Sequence, residues 1–244
     1  MTRSIDMRSV DATDAGVVDV EADARTLPVT DRTRLRRMPK RGSYDVDVVH
    51  AILDEAMVCH LGFAMRRGTG EGAPVGGAAP IVLPTFHARI DDRLYVHGSA
   101  ASHMLRSLAK GLEVCVTVTL IDGLVFARSA FHHSMNYRSV VVFGMATLVE
   151  DDDEKRRALD ALIDKLSPGR SKACRGPNEK ELLATKVIAV PIVEASAKIR
   201  TGPPLDDAED MGLPYWAGVV PVQVARGLPR TAGDCDLGPP IDLR

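Results

Sequence analysis

The sequence predicts a mainly β fold with flanking helices, closed into a small antiparallel barrel. About six short runs rich in β-branched and aromatic residues are separated by turn residues, which is typical of short strands. Only two long amphipathic helical patterns lie among these runs. A parallel sheet would need helices that alternate regularly with strands, so we expect an antiparallel barrel.

Composition and charge argue against several classes of protein. The 244 residues carry a formal net charge of −2, which gives no electrostatic reason to expect nucleic acid as a partner. No apolar run is long enough to span a bilayer, and the first residues lack the order of a signal peptide. We therefore expect a soluble, cytoplasmic protein with no membrane partner. The four cysteines form no CxxC pair, so neither a zinc knuckle nor a disulfide framework is indicated.

The first half of the chain predicts two helices and three strands. Ser43 is the expected N-cap of the first helix, and a glycine-rich connection over 66–79 carries no GxGxxG or Walker pattern. An Asp91–Asp92 turn is expected to join two strands into a hairpin. The predicted elements are a helix over Asp45–Met57, strands over Met57–Met65, Pro80–Arg89 and Arg93–His97, and a helix over Ser102–Lys110.

The second half predicts further strands around a central one. Asp122–Gly123 is a strong hairpin signal between two short strands. The β-branched run Val140–Phe143 predicts a strand buried on both faces. The remaining predicted elements are strands over Glu113–Leu120, Val125–Ala130 and Lys186–Glu194, a helix over Glu154–Leu166, and a short helix over Asn178–Thr185.

We expect one folded domain over residues 37–226. Residues 1–36 lack a sustained hydrophobic period and are expected to form a mobile tail, and residues 227–244 a loosely held C-terminus. The segment 31–42 is rich in arginine and lysine. We interpret it as a solvated arm, and the alternative is a phosphate-binding role.

Two stretches are candidates for a binding site. In Ser129–Val149, His132, His133 and Arg138 directly precede the most buried predicted strand, and a rigid strand is a suitable support for a binding site. The alternative is a loop with solvated histidines. At Gly98–Ser102 a strand passes through small residues into a helix, where free amides and the serine hydroxyls can hold a phosphate.

Three motifs resemble one protein family. They are LYVHGSAASHMLRSL, DGLVFARSAFHHSMNYRSVVVFGMA and SAKIRTGPP followed by YWAGVVP. The chain resembles the pyridoxamine 5′-phosphate oxidase-like flavin-binding split β-barrel superfamily, in particular its nitroimidazole-resistance-like branch, over roughly Arg37–Pro221. The resemblance implies a six-stranded antiparallel Greek-key split barrel that binds FMN or FAD in a groove at a homodimer interface.

The resemblance also implies which residues contact the cofactor. In the oxidase proper, basic residues contact the phosphate where this chain has His87, Ser102 and His103. The segment with Lys198, Arg200 and Trp216 resembles the part that closes over the cofactor or substrate. The complete set of implied cofactor contacts is Pro84, Thr85, Phe86, His87, Val96, His97, Ser99, Ser102, His103, Arg138, Ser139, Lys198, Arg200 and Trp216.

Two functions of different classes remain open. The first is a flavin-dependent oxidoreductase, using FMN, FAD or the deazaflavin F420, that reduces a small nitroaromatic or quinone-like substrate. The second is a non-catalytic haem- or flavin-binding or storage protein, with His97, His132 and His133 as candidate haem ligands. A metal-dependent hydrolase built on His132 and His133 is disfavoured, because adjacent residues on an extended chain point to opposite faces.

Overall fold

The computed structural model of the chain describes residues 25–66 and 78–239. Its strands form one antiparallel sheet that curls into a half-barrel, so the predicted split β-barrel fold with flanking helices is confirmed. The strands are β1 (Gly42–Ser43), β2 (Val58–Arg66), β3 (Ala78–Ile90), β4 (Arg93–Ser99), β5 (Glu113–Phe126), β6 (Ser134–Met145), β7 (Thr147–Leu148), β8 (Thr185–Pro191), β9 (Glu194–Arg200) and β10 (Gly218–Pro221).

The order of strands places β3 and β4 in a different part of the sheet from β6 and β9. The order is β1-β9-β6-β5-β2-β3-β4-β8-β7, and β10 pairs with β5 beside this path. Strands β3 and β4 are therefore separated from β6 and β9 by β2 and β5. This separation decides which predicted site residues can meet within one chain.

Four helices cover parts of the sheet, each begun by a polar side chain. They are α1 (Val46–Glu55), α2 (His103–Leu108), α3 (Asp152–Leu166) and α4 (Glu179–Ala184). The predicted N-cap of α1 was wrong by two residues: the carboxylate of Asp45, not Ser43, accepts bonds from the amides of Asp47 and Val48. A carboxylate can accept two amides at once and also suits the positive end of the helix.

The core lies between α1 and the concave face of the sheet. Val49 and Leu53 of α1 are fully buried against fully buried strand residues such as Leu61 and Val140. The prediction that β6 is buried on both faces was wrong. Val140 and Val142 are fully buried, whereas Val141 and Phe143, which alternate with them, are only half-buried. The strand therefore faces the core on one side only.

The predicted hairpin at Asp122–Gly123 was also wrong. Residues 113–126 form one continuous strand, β5, and the pairing with β6 merely shifts register between Ile121 and Gly123. A β-bulge uses the same turn residues as a hairpin without reversing the chain. Gly123 is needed there because an added Cβ would lie 2.9 Å from Cγ1 of Val219.

The strands that follow α4 in the chain differ from the prediction. The predicted strand Lys186–Glu194 is two strands, since β8 ends at Pro191 and β9 begins at Glu194. Proline has no amide hydrogen with which to continue a ladder. Strand β9 pairs with β6 from Tyr137 to Phe143, so residues of the SAKIRTGPP motif belong to the sheet.

The basic segment 31–42 is docked on the sheet rather than solvated throughout. Arg32 bonds to Glu113 and Glu194, and its guanidinium carbon lies 4.7 Å from the ring centre of Phe143. Leu27, before this segment, is buried. The predicted domain boundaries at 36 and 226 stay predictions, and most of the predicted tail and glycine-rich connection, residues 1–24 and 67–77, lies outside the described residues.

No helix among residues 25–66 and 78–239 has both the length and the apolar character needed to cross a bilayer.

Candidate cofactor site

Phe86 and His97, two of the predicted cofactor contacts, line one cavity. Strands β3 and β4 pair with His87 opposite Val96, so Phe86 and His97 lie on neighbouring positions of the same face. The cavity has a volume of about 490 Å³ and lies between this face and α3. Its other lining residues are Leu159, Asp160, Leu162, Ile163, Leu166, Ser171, Cys174, Arg175, Gly176, Pro177, Glu181 and Thr185.

His97 is one of the polar residues that line this largely apolar cavity. Its Nδ1 is buried and has no hydrogen-bond partner among the described residues. Burial lowers the pKa of His97, so the ring is neutral at neutral pH. A neutral imidazole with an unpaired nitrogen can form a hydrogen bond with a ligand or coordinate a metal.

His87 and Val96 point to the opposite face of the sheet. His87 is fully buried, and its Nε2 lies 2.9 Å from the carbonyl oxygen of Leu53 and 3.1 Å from Nζ of Lys165. Burial, and then the nearby Lys165, lower the pKa of His87 to about 4. Within one chain His87 therefore contacts α1 and α3, and its role as a phosphate contact stays a prediction.

The predicted phosphate-binding turn lies between β4 and α2. Ser99 Oγ accepts a bond from the amide of Ala101 at 3.2 Å, and Ser102 Oγ accepts one from Leu105 at 3.5 Å. His103 is exposed and forms no hydrogen bond or ion pair within the described part of the chain. On β3, Pro84 is exposed and Thr85 is half-buried.

Arg138 and Ser139 lie on β6, in another part of the sheet. The guanidinium of Arg138 binds Glu55 and Asp122 through paired hydrogen bonds, which raise its pKa. Its positive charge is therefore balanced by two carboxylates. Ser139 Oγ donates to the carbonyl oxygen of Lys198, which lies opposite it on β9.

The last three predicted contacts lie on β9, which pairs with β6, or in the segment that follows β9. They are Lys198, Arg200 and Trp216. Lys198 is half-buried and forms no ion pair with any described residue. Arg200 is only 6% exposed and donates to Oδ1 of Asn136 and to the carbonyl oxygen of Pro203. Trp216 is 66% exposed, and its ring centre lies 5.8 Å from that of Phe126.

The two adjacent histidines have different partners. His132 Nε2 lies 3.0 Å from a carboxylate oxygen of Asp207, whereas His133 Nδ1 lies 3.0 Å from the carbonyl oxygen of Ser129. A hydrogen on Nδ1 of His133 makes that contact a hydrogen bond and leaves Nε2 free as a ligand atom. His132 and His133 therefore face different groups within the described part of the chain.

The predicted contacts thus fall into two groups within one chain. The first group lies on β3, β4 and the turn before α2, and the second on β6, β9 and the segment that follows β9. Strands β2 and β5 lie between them in the sheet.

Sequence reasoning missed the α3 wall of the cavity. Several apolar residues repeat at helical spacing along α3, but only Ala158 and Leu162 are buried. Leu166 is 48% exposed and lines the cavity. An apolar stripe wider than the core requires was the available signal for a binding surface.

Comparison with known proteins identifies the family. Residues 45–199 match the family model described as pyridoxamine 5′-phosphate oxidase, which is more than half of the chain. This chain belongs to that family. The predicted superfamily is confirmed. No curated protein gives a significant match.

Solved structures of this oxidase family resemble the chain over most of its length. The flavocytochrome Anf3 from Azotobacter vinelandii is 40% identical, covers 88% of this chain and 95% of its own, and superposes with a TM-score of 0.77. The FAD and haem binding protein from Mycobacterium smegmatis is 36% identical, with coverage of 82% and 93% and a TM-score of 0.72. A putative 5-nitroimidazole antibiotic resistance protein from Bacteroides thetaiotaomicron is 24% identical, with coverage of 65% and 86% and a TM-score of 0.49.

Proposed function

We propose that this chain binds a flavin nucleotide, FMN or FAD, and acts as an oxidoreductase on a small nitroaromatic or quinone-like compound. The observation that carries this proposal is the similarity to a flavocytochrome and to an FAD and haem binding protein, at 40% and 36% identity over more than four fifths of the chain. Proteins this similar over their full length commonly share the cofactor class as well as the fold.

The cavity between α3 and the β3–β4 face fits a flavin. Its volume of about 490 Å³ lies within the range of small-molecule sites, and its walls are largely apolar with a few polar groups. Phe86 and the leucines of α3 can pack against an aromatic ring system. His97 is a polar side chain in this lining, and its buried Nδ1 has no hydrogen-bond partner among the described residues.

The residues of the chain bind and shield the cofactor in this proposal. A bound flavin supplies the redox chemistry itself. Phe86 and Leu162 hold an aromatic ring and exclude water, and His97 forms a hydrogen bond at the base of the cavity. Lys198 lies on β9, outside this cavity, so in a dimer the Lys198 of the second chain supplies the positive charge that favours the anionic reduced form.

The separation of the two groups of contacts supports a homodimer. Residues on β3 and β4 and residues on β6 and β9 lie in different parts of the sheet. In a twofold dimer, one group from each chain can meet across the interface. The mass of the protein in solution tests this part of the proposal.

A haem is the second candidate cofactor, and two histidines favour it. His97 is held neutral by burial, and His133 has its Nδ1 positioned by a backbone carbonyl. Both features suit an axial ligand of haem iron. A protein that binds haem or flavin without turnover is the non-catalytic alternative.

Replacement of His97 tests the cavity as the cofactor site. The purified apoprotein is titrated with FMN, FAD, F420 and haemin, and binding is followed by absorption and by quenching of flavin fluorescence. We expect His97→Ala to weaken flavin binding by about ten-fold or more, because a buried hydrogen bond is lost. His60→Ala, which removes an exposed histidine on β2, should bind as the wild type does.

The variant His97→Gln distinguishes flavin binding from haem binding. Glutamine can still form a hydrogen bond to a flavin but does not replace imidazole on haem iron, so the variant should retain flavin and lose a haem signal that depends on His97. Unchanged binding of all four cofactors by His97→Ala would contradict the cavity as their site. Anaerobic reduction of a nitroaromatic or quinone by the reduced protein distinguishes an oxidoreductase from a storage protein.

A further inference from the structure

A second cavity lies at the end of β9 and is lined by three cationic side chains. It has a volume of about 300 Å³. Its lining residues are Lys40, Arg41, Ile199, Arg200, Thr201, Pro203 and Leu205. None of these residues is acidic, so the cavity has a local excess of positive charge.

Arg200 is buried without a carboxylate partner among the described residues. The side chain is only 6% exposed, and both of its hydrogen-bond acceptors, Asn136 Oδ1 and the carbonyl oxygen of Pro203, are neutral. Asp206 is close in sequence, but its side chain is 1% exposed and binds Arg128 at 2.9 Å. Burial of a charge is costly unless an opposite charge compensates it. Arg200 therefore lacks the counter-charge that a buried guanidinium normally has.

The other two cations increase this imbalance. Arg41 is half-buried and Lys40 is exposed, and neither forms an ion pair with a residue of the described ranges. Burial lowers the pKa of Arg200, and the repulsion from Arg41 lowers it further. Two guanidinium groups therefore line the same cavity, and the charge of each disfavours the charge of the other.

The backbone holds this arrangement in place. Strand β1 pairs with β9 through Gly42 opposite Lys198, which positions Arg41 next to the end of β9. The turn Pro39–Arg41 precedes β1 and is followed at once by the strand. The end of the basic segment is therefore fixed beside Arg200 rather than free in solvent.

We infer that this cavity is an oxyanion site that takes a phosphate group, with Arg200, Arg41 and Lys40 as its ligands. Arginine donates paired hydrogen bonds that match the oxygens of a phosphate, and lysine adds a point charge. The phosphate can belong to a nucleotide, such as a flavin nucleotide, or to a free phosphorylated compound. The inference stands on the cavity itself and does not require the proposed function.

Calorimetric titration with inorganic phosphate and pyrophosphate at low ionic strength tests the site. The test variant is Lys40→Gln with Arg41→Gln, and the matched control is Arg36→Gln with Arg37→Gln. The control removes the same charge from exposed residues of the same segment that do not line the cavity. We expect the wild type and the control to bind pyrophosphate alike, and the test variant to bind at least about ten-fold more weakly.

A parallel titration with FMN and riboflavin distinguishes the two sources of phosphate. If the test variant weakens FMN binding but not riboflavin binding, the site holds the flavin phosphate. If it weakens only the binding of inorganic phosphate and pyrophosphate, the site holds a separate phosphorylated compound. No binding of either anion to the wild type, or equal loss in the test and control variants, would overturn the inference. Because inorganic anions are used, this outcome is independent of whether the protein binds flavin.

Discussion

His87 and Lys165 compete for one carbonyl group in the interior. His87 Nε2 and Lys165 Nζ lie 2.9 Å and 3.0 Å from the oxygen of Leu53, and 3.1 Å from each other. Burial lowers the pKa of Lys165 to about 8. His87 stays neutral because a second positive charge beside this lysine would be buried as well.

The buried His87 makes the free energy of unfolding depend on pH. Its pKa falls from the ordinary 6.5 to about 4 in the folded chain, so between these values the unfolded chain takes up a proton that the folded chain does not. Stability contributed by neutral His87 is therefore complete above pH 6.5 and is lost as the pH falls towards 4. The full loss is about 3 kcal/mol.

His87→Gln should remove this dependence. Glutamine can donate to the carbonyl of Leu53 and does not titrate, so we expect the difference in unfolding free energy between variant and wild type to shift in favour of the variant as the pH falls. Urea unfolding at several pH values between 6.5 and 4 measures this difference in unfolding free energy. His60→Gln is the control, and a wild-type curve parallel to that of His87→Gln would refute the explanation.

The sequence predicted several of the residues that could contact a cofactor, but it did not predict which groups of the folded chain contact those residues. His97 was selected because the family resemblance implied it as a cofactor contact, and it lines the cavity under α3. The buried location of His87 could not be predicted, since it depends on Lys165, 78 positions further along the chain. Nor could the pairing of Arg138 with Glu55 and Asp122, because the register of distant strands decides it.

At the scale of elements, α3 is both a cover for the sheet and a wall of the candidate cofactor site. It begins at Asp152, and Asp151 Oδ1 accepts a bond of 2.7 Å from the amide of Glu154. Leu162 is buried and lines the cavity together with Leu159, Ile163 and Leu166. A shift of the start of α3 would therefore change the cavity as well as the core.

Asp151→Ala should destabilise the chain by about 1 kcal/mol, because the amide of Glu154 loses its N-cap acceptor. The matched control is Asp152→Ala, which removes an equal charge from the first turn and leaves the cap intact. Guanidinium unfolding at neutral pH measures both. Equal losses of stability in the two variants would show that charge near the helix end, and not the cap bond, is responsible.

The helices could be predicted closely from the sequence, and the strands less so. Periodicity over Glu154–Leu166 predicted α3, with a start within two residues of the observed one. The bulge in β5 was mistaken for a hairpin because Asp-Gly serves both structures. The division between β8 and β9 depends on pairing with β4 and β6, which local sequence does not encode.

At the scale of the whole molecule, the sheet distributes the candidate contacts over two regions. The cavity under α3 belongs to β3 and β4, and the cationic cavity belongs to β1 and β9 at the far side of β2 and β5. A dimer is the simplest assembly that would bring such regions of two chains together. The family resemblance predicted a cofactor groove at a homodimer interface. The cationic cavity could be found only in the folded structure.

The most direct test is size-exclusion chromatography of the protein as purified, with light scattering and a full absorption spectrum recorded across the peak. The account predicts a peak of twice the 26.3 kDa chain mass that carries flavin absorption, bleached by a reductant and restored by air. Haem absorption in the same peak would add the second cofactor. A peak without flavin absorption, which also takes up neither FMN nor FAD when these are added, would contradict the account.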